Sequence, residues 1–317
     1  MLSSFASRTA AFARRAVLPR FRPPARLAAL ALLPLLAACG APEVLFNAIA
    51  LPYPGTVTLA RDVPFGEGPR RTLDVYAPAD PETPLPILVF FYGGAWNTGT
   101  KDGYAFAGSA FASEGFLTIV PDYRLWPEVQ FPGFVEDGAA AVAWARAHGA
   151  EYGGDPDRIV LAGHSAGAYA AAMLALDEQW LAAAGVPRGA IRGWAGLAGP
   201  YSFLPLTYDA TVRSFGNVTP DALPATQPVN FVDEGDPPAF LGSGGADTIV
   251  PEGQALALAV RLHEAGVPFE TELYDGIGHI GLVTSLARQF QGRAPILADI
   301  ADFLHRAAEG EIAGESR

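Results

Sequence analysis

The stretch Asp157-Arg158-Ile159-Val160-Leu161-Ala162-Gly163-His164-Ser165-Ala166-Gly167-Ala168-Tyr169 decides how the rest of the chain is read. Residues 159–162 are a short apolar run that predicts a buried strand, and the alanine-rich segment 166–176 predicts the helix after it. Between them stands Gly163-His164-Ser165-Ala166-Gly167, a Gly-x-Ser-x-Gly pentapeptide. Where such a pentapeptide joins a strand to a helix, the turn is so sharp that the residues flanking the serine must lack bulk. The hydroxyl is then left exposed above the sheet. The same five residues could be a plain Gly/Ser turn with no chemistry, but the strand before and the helix after both favour the catalytic reading. Ser165 is the expected nucleophile.

On either side of this turn, strands alternate with helices. Strands are expected at 56–60, 72–77, 87–92, 116–121, 191–197, 239–242 and 270–274, and helices at 134–148, 251–265 and 294–308. Such alternation predicts an α/β fold: a mostly parallel sheet with helices on both faces and the active site at the carboxyl ends of the strands. No long linker divides residues 56–317, so one catalytic domain is expected there, with 199–238 as a small cap insertion.

A serine hydroxyl is a poor nucleophile until an imidazole takes its proton, and the imidazole needs an acid to orient it. Of the five histidines, His148, His263 and His305 fall in helical stretches, and His164 lies inside the elbow, facing away from Oγ. His279 lies in Asp275-Gly276-Ile277-Gly278-His279, a glycine-rich loop just past the last strand, from which an imidazole could reach the elbow. Asp247 follows Phe240-Leu241-Gly242-Ser243-Gly244-Gly245-Ala246 off a strand and is the expected acid, giving the chain order Ser, Asp, His. Its bland alternative is a cap for the helix after Pro251, and Asp236 and Asp275 are rival acids. The oxyanion of an acyl-transfer intermediate needs backbone N–H donors. Ala166 can supply one from the start of the elbow helix, and Gly94 and Ala95, in Phe91-Tyr92-Gly93-Gly94-Ala95-Trp96, can supply two more.

The 317 residues are 50% hydrophobic, enough for a large buried core. Their formal charge is −12, and residues 1–38 contribute six arginines and no acids, so the remainder carries about −18, a poor surface for nucleic acid. The single cysteine, Cys39, excludes an intrachain disulfide framework and a cysteine-based metal site. Arginines up to Arg26, followed by an apolar stretch over 27–38, read as a signal peptide too short to span a bilayer stably. Leu36-Ala37-Ala38-Cys39-Gly40 resembles the lipobox of bacterial lipoproteins, in which the cysteine becomes the lipidated first residue. That resemblance implies a signal peptide at 1–38, a tether at 39–55, and a membrane anchor at Cys39. With Gly40 after the cysteine, it implies the outer membrane, facing the periplasm.

Three blocks resemble the α/β-hydrolase superfamily, specifically bacterial carboxylesterases and lipases related to kynurenine formamidase and the hormone-sensitive lipase group. They are Tyr92-Gly93-Gly94-Ala95-Trp96 for the family's His-Gly-Gly-x-Trp, Asp122-Tyr123-Arg124-Leu125-Trp126-Pro127-Glu128 for its Asp-Tyr-Arg-Leu-x-Pro-Glu, and the elbow itself. The resemblance implies a Ser165, His279, Asp247 triad that hydrolyses small to medium acyl esters through an acyl-enzyme, with no cofactor and no metal. Trp96, Trp126, Tyr201 and Phe203 are expected as pocket walls, being aromatics beside strand ends. An arylformamidase of the N-formylkynurenine type and an inactive hydrolase-fold binding lipoprotein are the alternatives. Two departures matter: Tyr92 stands where the family has a histidine that braces the oxyanion loop, so the brace must come from a phenol or be absent, and Ala95 takes a position often held by glycine, with its backbone N–H kept.

Overall fold

The computed structural model describes Phe46 and residues 50–312. The expected signal peptide and Cys39 lie outside these residues. Eight strands form one sheet: β1 (Thr56–Pro64), β2 (Thr72–Pro78), β3 (Leu85–Phe91), β4 (Leu117–Pro121), β5 (Gly154–His164), β6 (Ile191–Leu197), β7 (Ala239–Gly244) and β8 (Phe269–Tyr274), in the order β1-β2-β4-β3-β5-β6-β7-β8. β2 pairs antiparallel with both β1 and β4, and every later pairing is parallel. The expected fold class is the one observed.

Burial explains the order. β3 and β4 are buried at every position, as strands covered on both faces must be, and their sequences are continuous apolar runs without alternation. β1 is largely exposed and lies at one edge, where its pairing with β2 is interrupted by register shifts between Thr58 and Val63. β8 closes the other edge.

The helices are α1 (Ala105–Ser113), α2 (Gly133–His148), α3 (Ala166–Leu176), α4 (Glu178–Ala183), α5 (Asp209–Phe215), α6 (Gly253–Ala265), α7 (His279–Thr284) and α8 (Ile296–Ala308). α8 is amphipathic and buries Ile296, Leu297, Ile300, Phe303 and Leu304 on one face. α3 is buried nearly all round, so small side chains are what its position allows.

Four helices depart from expectation: α4 and α5 fall in stretches where no helix is expected, and α1 and α7 bear on the site. α1 was not anticipated because it is buried almost throughout and therefore shows no helical period. α7 begins at His279 itself, where a loop was expected. The lead-in also differs from a free tether over its described residues. Tyr53 is buried, takes the Ser109 hydroxyl as acceptor for its amide at 3.1 Å and donates its phenol to the Leu286 carbonyl.

Candidate active site

Ser165 sits between β5 and α3 with φ 55° and ψ −120°, a conformation that costs a non-glycine residue energy and that its surroundings must enforce. They do so by closeness. A Cβ on Gly163 would lie 2.3 Å from the Gly167 carbonyl oxygen, and one on Gly167 would lie 2.0 Å from that of Phe91, so both flanking positions admit only glycine. The Ser165 amide donates to the Leu197 carbonyl at 2.8 Å, which ties the elbow to the end of β6.

The three residues expected to act together are joined in series, with His279 within hydrogen-bonding distance of both Ser165 and Asp247. Ser165 Oγ lies 2.9 Å from His279 Nε2, and His279 Nδ1 lies 2.7 Å from Asp247 Oδ2. With Asp247 accepting the Nδ1 proton, Nε2 is left as acceptor for the serine hydroxyl. The Asp247 side chain is completely buried, and its other oxygen accepts the amides of Ile249 at 2.8 Å and Val250 at 2.9 Å. The helix after Pro251 begins at Gly253 with Glu252 at its cap, so Asp247 does not cap it; one Asp247 oxygen holds the turn at Ile249 and Val250 while the other meets His279. The rival Asp236 instead accepts the Asp233 amide at 2.8 Å, and burial pushes its carboxyl up to about 7.

His164 has a part that its sequence position did not reveal. Its Nε2 donates to the His279 carbonyl at 3.1 Å, so it holds the backbone of the residue facing Ser165. Burial, with His279 nearby as a second cause, pushes the His164 imidazole down to about 3 and keeps it neutral. Gly93 has no room for a side chain, since a Cβ there would stand 2.8 Å from His164 Nδ1.

Gly94, Ala95 and Trp96 follow with φ of 138°, 50° and 58°, a run of three positive values that bends the chain into a tight turn. The turn is closed by the amides of Asn97 and Thr98, each donating to the Gly94 carbonyl at 3.0 Å. Gly94 and Ala95 line the same cavity as Ser165. Ala166, next to the serine, is the first residue of α3, where a helical amide has no partner within its own helix. The Tyr92 phenol donates to Asp122 Oδ1 at 2.8 Å.

The cavity over Ser165 holds about 510 Å³ and is walled chiefly by Phe46, Tyr104, Phe106, Ile249, Ile280 and Val283. Trp96, Trp126, Tyr201 and Phe203 are not among the residues that line it. Trp96 is buried in an aromatic cluster with Tyr169 at 5.3 Å and Phe215 at 5.0 Å between centroids, and Phe203 packs 5.3 Å from the same Phe215. α5, inside the 199–238 insertion, carries Phe215 and draws both rings into the core. Tyr201 is buried edge-on against Trp194, in space left by the absent side chains of Gly196 and Gly199. Trp126 is half-buried under the Arg213 guanidinium, 5.3 Å away. Of the walls that were missed, Ile280 and Val283 had a legible signal in their helical spacing just after His279. Tyr104 and Phe106 went unread together with α1.

Residues 73–184 match the family model BD-FAE. A probable isoprenylcysteine alpha-carbonyl methylesterase of Oryza sativa subsp. japonica is 30% identical over 275 residues, 78% of this chain and 63% of that protein. Esterase LipC of Mycobacterium tuberculosis is 31% identical over 222 residues, 64% of this chain and 54% of that protein. The chain spans between 51% and 65% of the length of these and similar curated relatives. An inhibited esterase B from Lactobacillus rhamnosis superposes with a TM-score of 0.75 at 20% identity, over 91% of this chain and 98% of that one. By sheet order, elbow and structural likeness, the chain has the α/β-hydrolase fold. Its sequence is similar to proteins named as esterases and methylesterases.

Proposed function

We propose that this protein is a serine carboxylesterase for small to medium acyl esters. The observation that carries the reading is the hydrogen-bonded series Ser165 Oγ, His279 Nε2, His279 Nδ1, Asp247 Oδ2, opening on a largely apolar cavity. In the proposed cycle, Oγ attacks the ester carbonyl carbon while Nε2 takes the hydroxyl proton, and Asp247 stabilises the imidazolium that forms. The carbonyl oxygen becomes an oxyanion facing the amides of Gly94, Ala95 and Ala166. Collapse of this intermediate expels the alcohol, which receives the proton from His279 and leaves an acyl group on Ser165. Water then repeats the sequence, giving its proton to Nε2 and releasing the carboxylic acid. The apolar cavity favours an uncharged acyl chain, and its volume falls within the usual range for small-molecule sites.

A fluorophosphonate probe tests the nucleophile directly. A covalent adduct is expected on the peptide containing Ser165 and should be missing from folded Ser165→Ala. An unlabelled wild-type chain, or equal labelling of the variant, contradicts the reading.

We also propose, from the signal-peptide pattern, that the mature chain begins at a lipidated Cys39 and is anchored in a bacterial envelope, at the outer membrane facing the periplasm. Two or more acyl chains would give a stable anchor where one alone is marginal. Intact mass of membrane-extracted protein should show Cys39 as an acylated first residue. An unmodified Met1 or an unmodified Cys39 would refute it.

A further inference from the structure

A turn with three successive positive φ values relaxes unless its ends are fixed, and the ends of this one meet. Gly99 has φ +99°, and a Cβ there would lie 2.7 Å from the Gly93 carbonyl oxygen. One side chain spans the junction. Arg70, from the link between β1 and β2, donates through Nη2 to the Gly99 carbonyl at 2.7 Å and to the Tyr92 hydroxyl at 2.8 Å, and through Nε to the Tyr123 carbonyl at 2.9 Å. Its side chain is 25% exposed, so these bonds are largely shielded from water.

Tyr92 completes the fastening from inside. Its phenol accepts from Arg70 and donates to Asp122 Oδ1, the same oxygen that accepts the Lys101 amide at 2.7 Å. The Tyr123 phenol donates to the Tyr92 carbonyl at 2.6 Å, and the two rings stack with centroids 4.6 Å apart. Burial holds the Tyr92 phenol well above its usual range, so the hydroxyl keeps the proton that it shares with Asp122. Residues on both sides of the turn, Tyr92 before it and Gly99 and Lys101 after it, are thus held by one hydrogen-bonded set whose outer member is Arg70.

We propose that Arg70 and Tyr92 are positioning residues for the oxyanion turn, together supplying the brace that the histidine at the family's corresponding position would provide. The proposal rests on the esterase reading. Neither side chain touches a reacting atom; both act through the backbone that aims the amides of Gly94 and Ala95. Since those amides matter most when charge develops on the substrate oxygen, loosening them weakens transition-state binding more than substrate binding. Lysine cannot replace Arg70, because a single ammonium lacks the planar fork that reaches three acceptors at once.

The test compares wild type with Arg70→Lys and Tyr92→Phe in two measurements. The first separates kcat from KM on p-nitrophenyl butyrate, and the second follows hydrogen exchange at the amides of Asn97, Thr98 and Lys101. We expect kcat to fall about 10- to 100-fold for Arg70→Lys and roughly five- to tenfold for Tyr92→Phe, with KM changed by less than about threefold. Exchange at the three amides should quicken about tenfold or more while the strands stay protected. A raised KM at unchanged kcat, or unchanged exchange in the turn, overturns the proposal. So does quicker exchange across the whole sheet, which would make Arg70 a general stabiliser. Exchange reads the brace without turnover, so an inactive wild type counts against the esterase reading and leaves the brace to be judged by the amides.

Discussion

His164 shows how one residue of the elbow motif can be variable in kind and still constrained. It lies one position before the serine and is fully buried, and its Nε2 donates to the backbone of His279. Its imidazole is neutral in the folded state down to about pH 3, whereas an unfolded histidine takes up a proton near pH 6.5. Between these values the unfolded chain binds the extra proton, so this contribution to stability is complete above about pH 6.5 and is lost as pH falls below it. At pH 5 the loss amounts to about 2 kcal/mol, from about 1.4 kcal/mol per pH unit. Urea unfolding at pH 7.5 and pH 5 should therefore show wild type losing about 2 kcal/mol more than His164→Asn. Equal losses would mean that the imidazole is not buried as described.

At the scale of elements, the lead-in and α7 do more than their sequences announced. Phe46 packs edge-on to Phe106 at 4.9 Å and stacks on Phe290 at 5.7 Å, and its ring faces the cavity over Ser165. A residue that reads as part of a tether thus forms a wall of the site. Removing the ring should weaken contact with an apolar chain more than with a methyl group. The ratio of kcat/KM for p-nitrophenyl octanoate to that for the acetate should fall about five- to tenfold in Phe46→Ala, equivalent to about 1 kcal/mol of apolar contact. An unchanged ratio would remove Phe46 from the pocket. Pattern reading failed here for a physical reason. Single aromatics in proline-rich or all-buried segments carry no period, and only the packing of distant segments brings Phe46, Phe106 and Phe290 together. The four aromatics expected as walls failed the same way. Proximity to a strand end does not say which side of the strand a ring turns to, and Phe215 draws Trp96 and Phe203 inward. Ser165 and Asp247, by contrast, were legible because each follows a strand marked by an apolar run, and His279 because it lies in a glycine-rich loop past the last strand; strand ends in a parallel sheet converge.

Over the whole molecule, the sheet order brings the parts of the site to one edge. β5 lies between β3 and β6, so the elbow after β5 is flanked by the turn after β3, while β7 and β8 deliver Asp247 and the segment leading to His279. Residues separated by 114 positions in the chain meet at 2.9 Å because parallel strands end together. The strand alternation and the fold class followed from sequence, whereas the fastening of the turn after β3 by Arg70 did not, since no motif connects residue 70 to residue 99. We propose that this convergence makes Ser165 a nucleophile toward esters. The most direct test is turnover of p-nitrophenyl esters from acetate to palmitate by the chain from Ala41 onward, alongside Ser165→Ala. Turnover should peak at short to medium acyl chains and fall about 10⁴-fold or more on substitution. Turnover that survives in Ser165→Ala, or a folded wild type that hydrolyses none of the series, would contradict it.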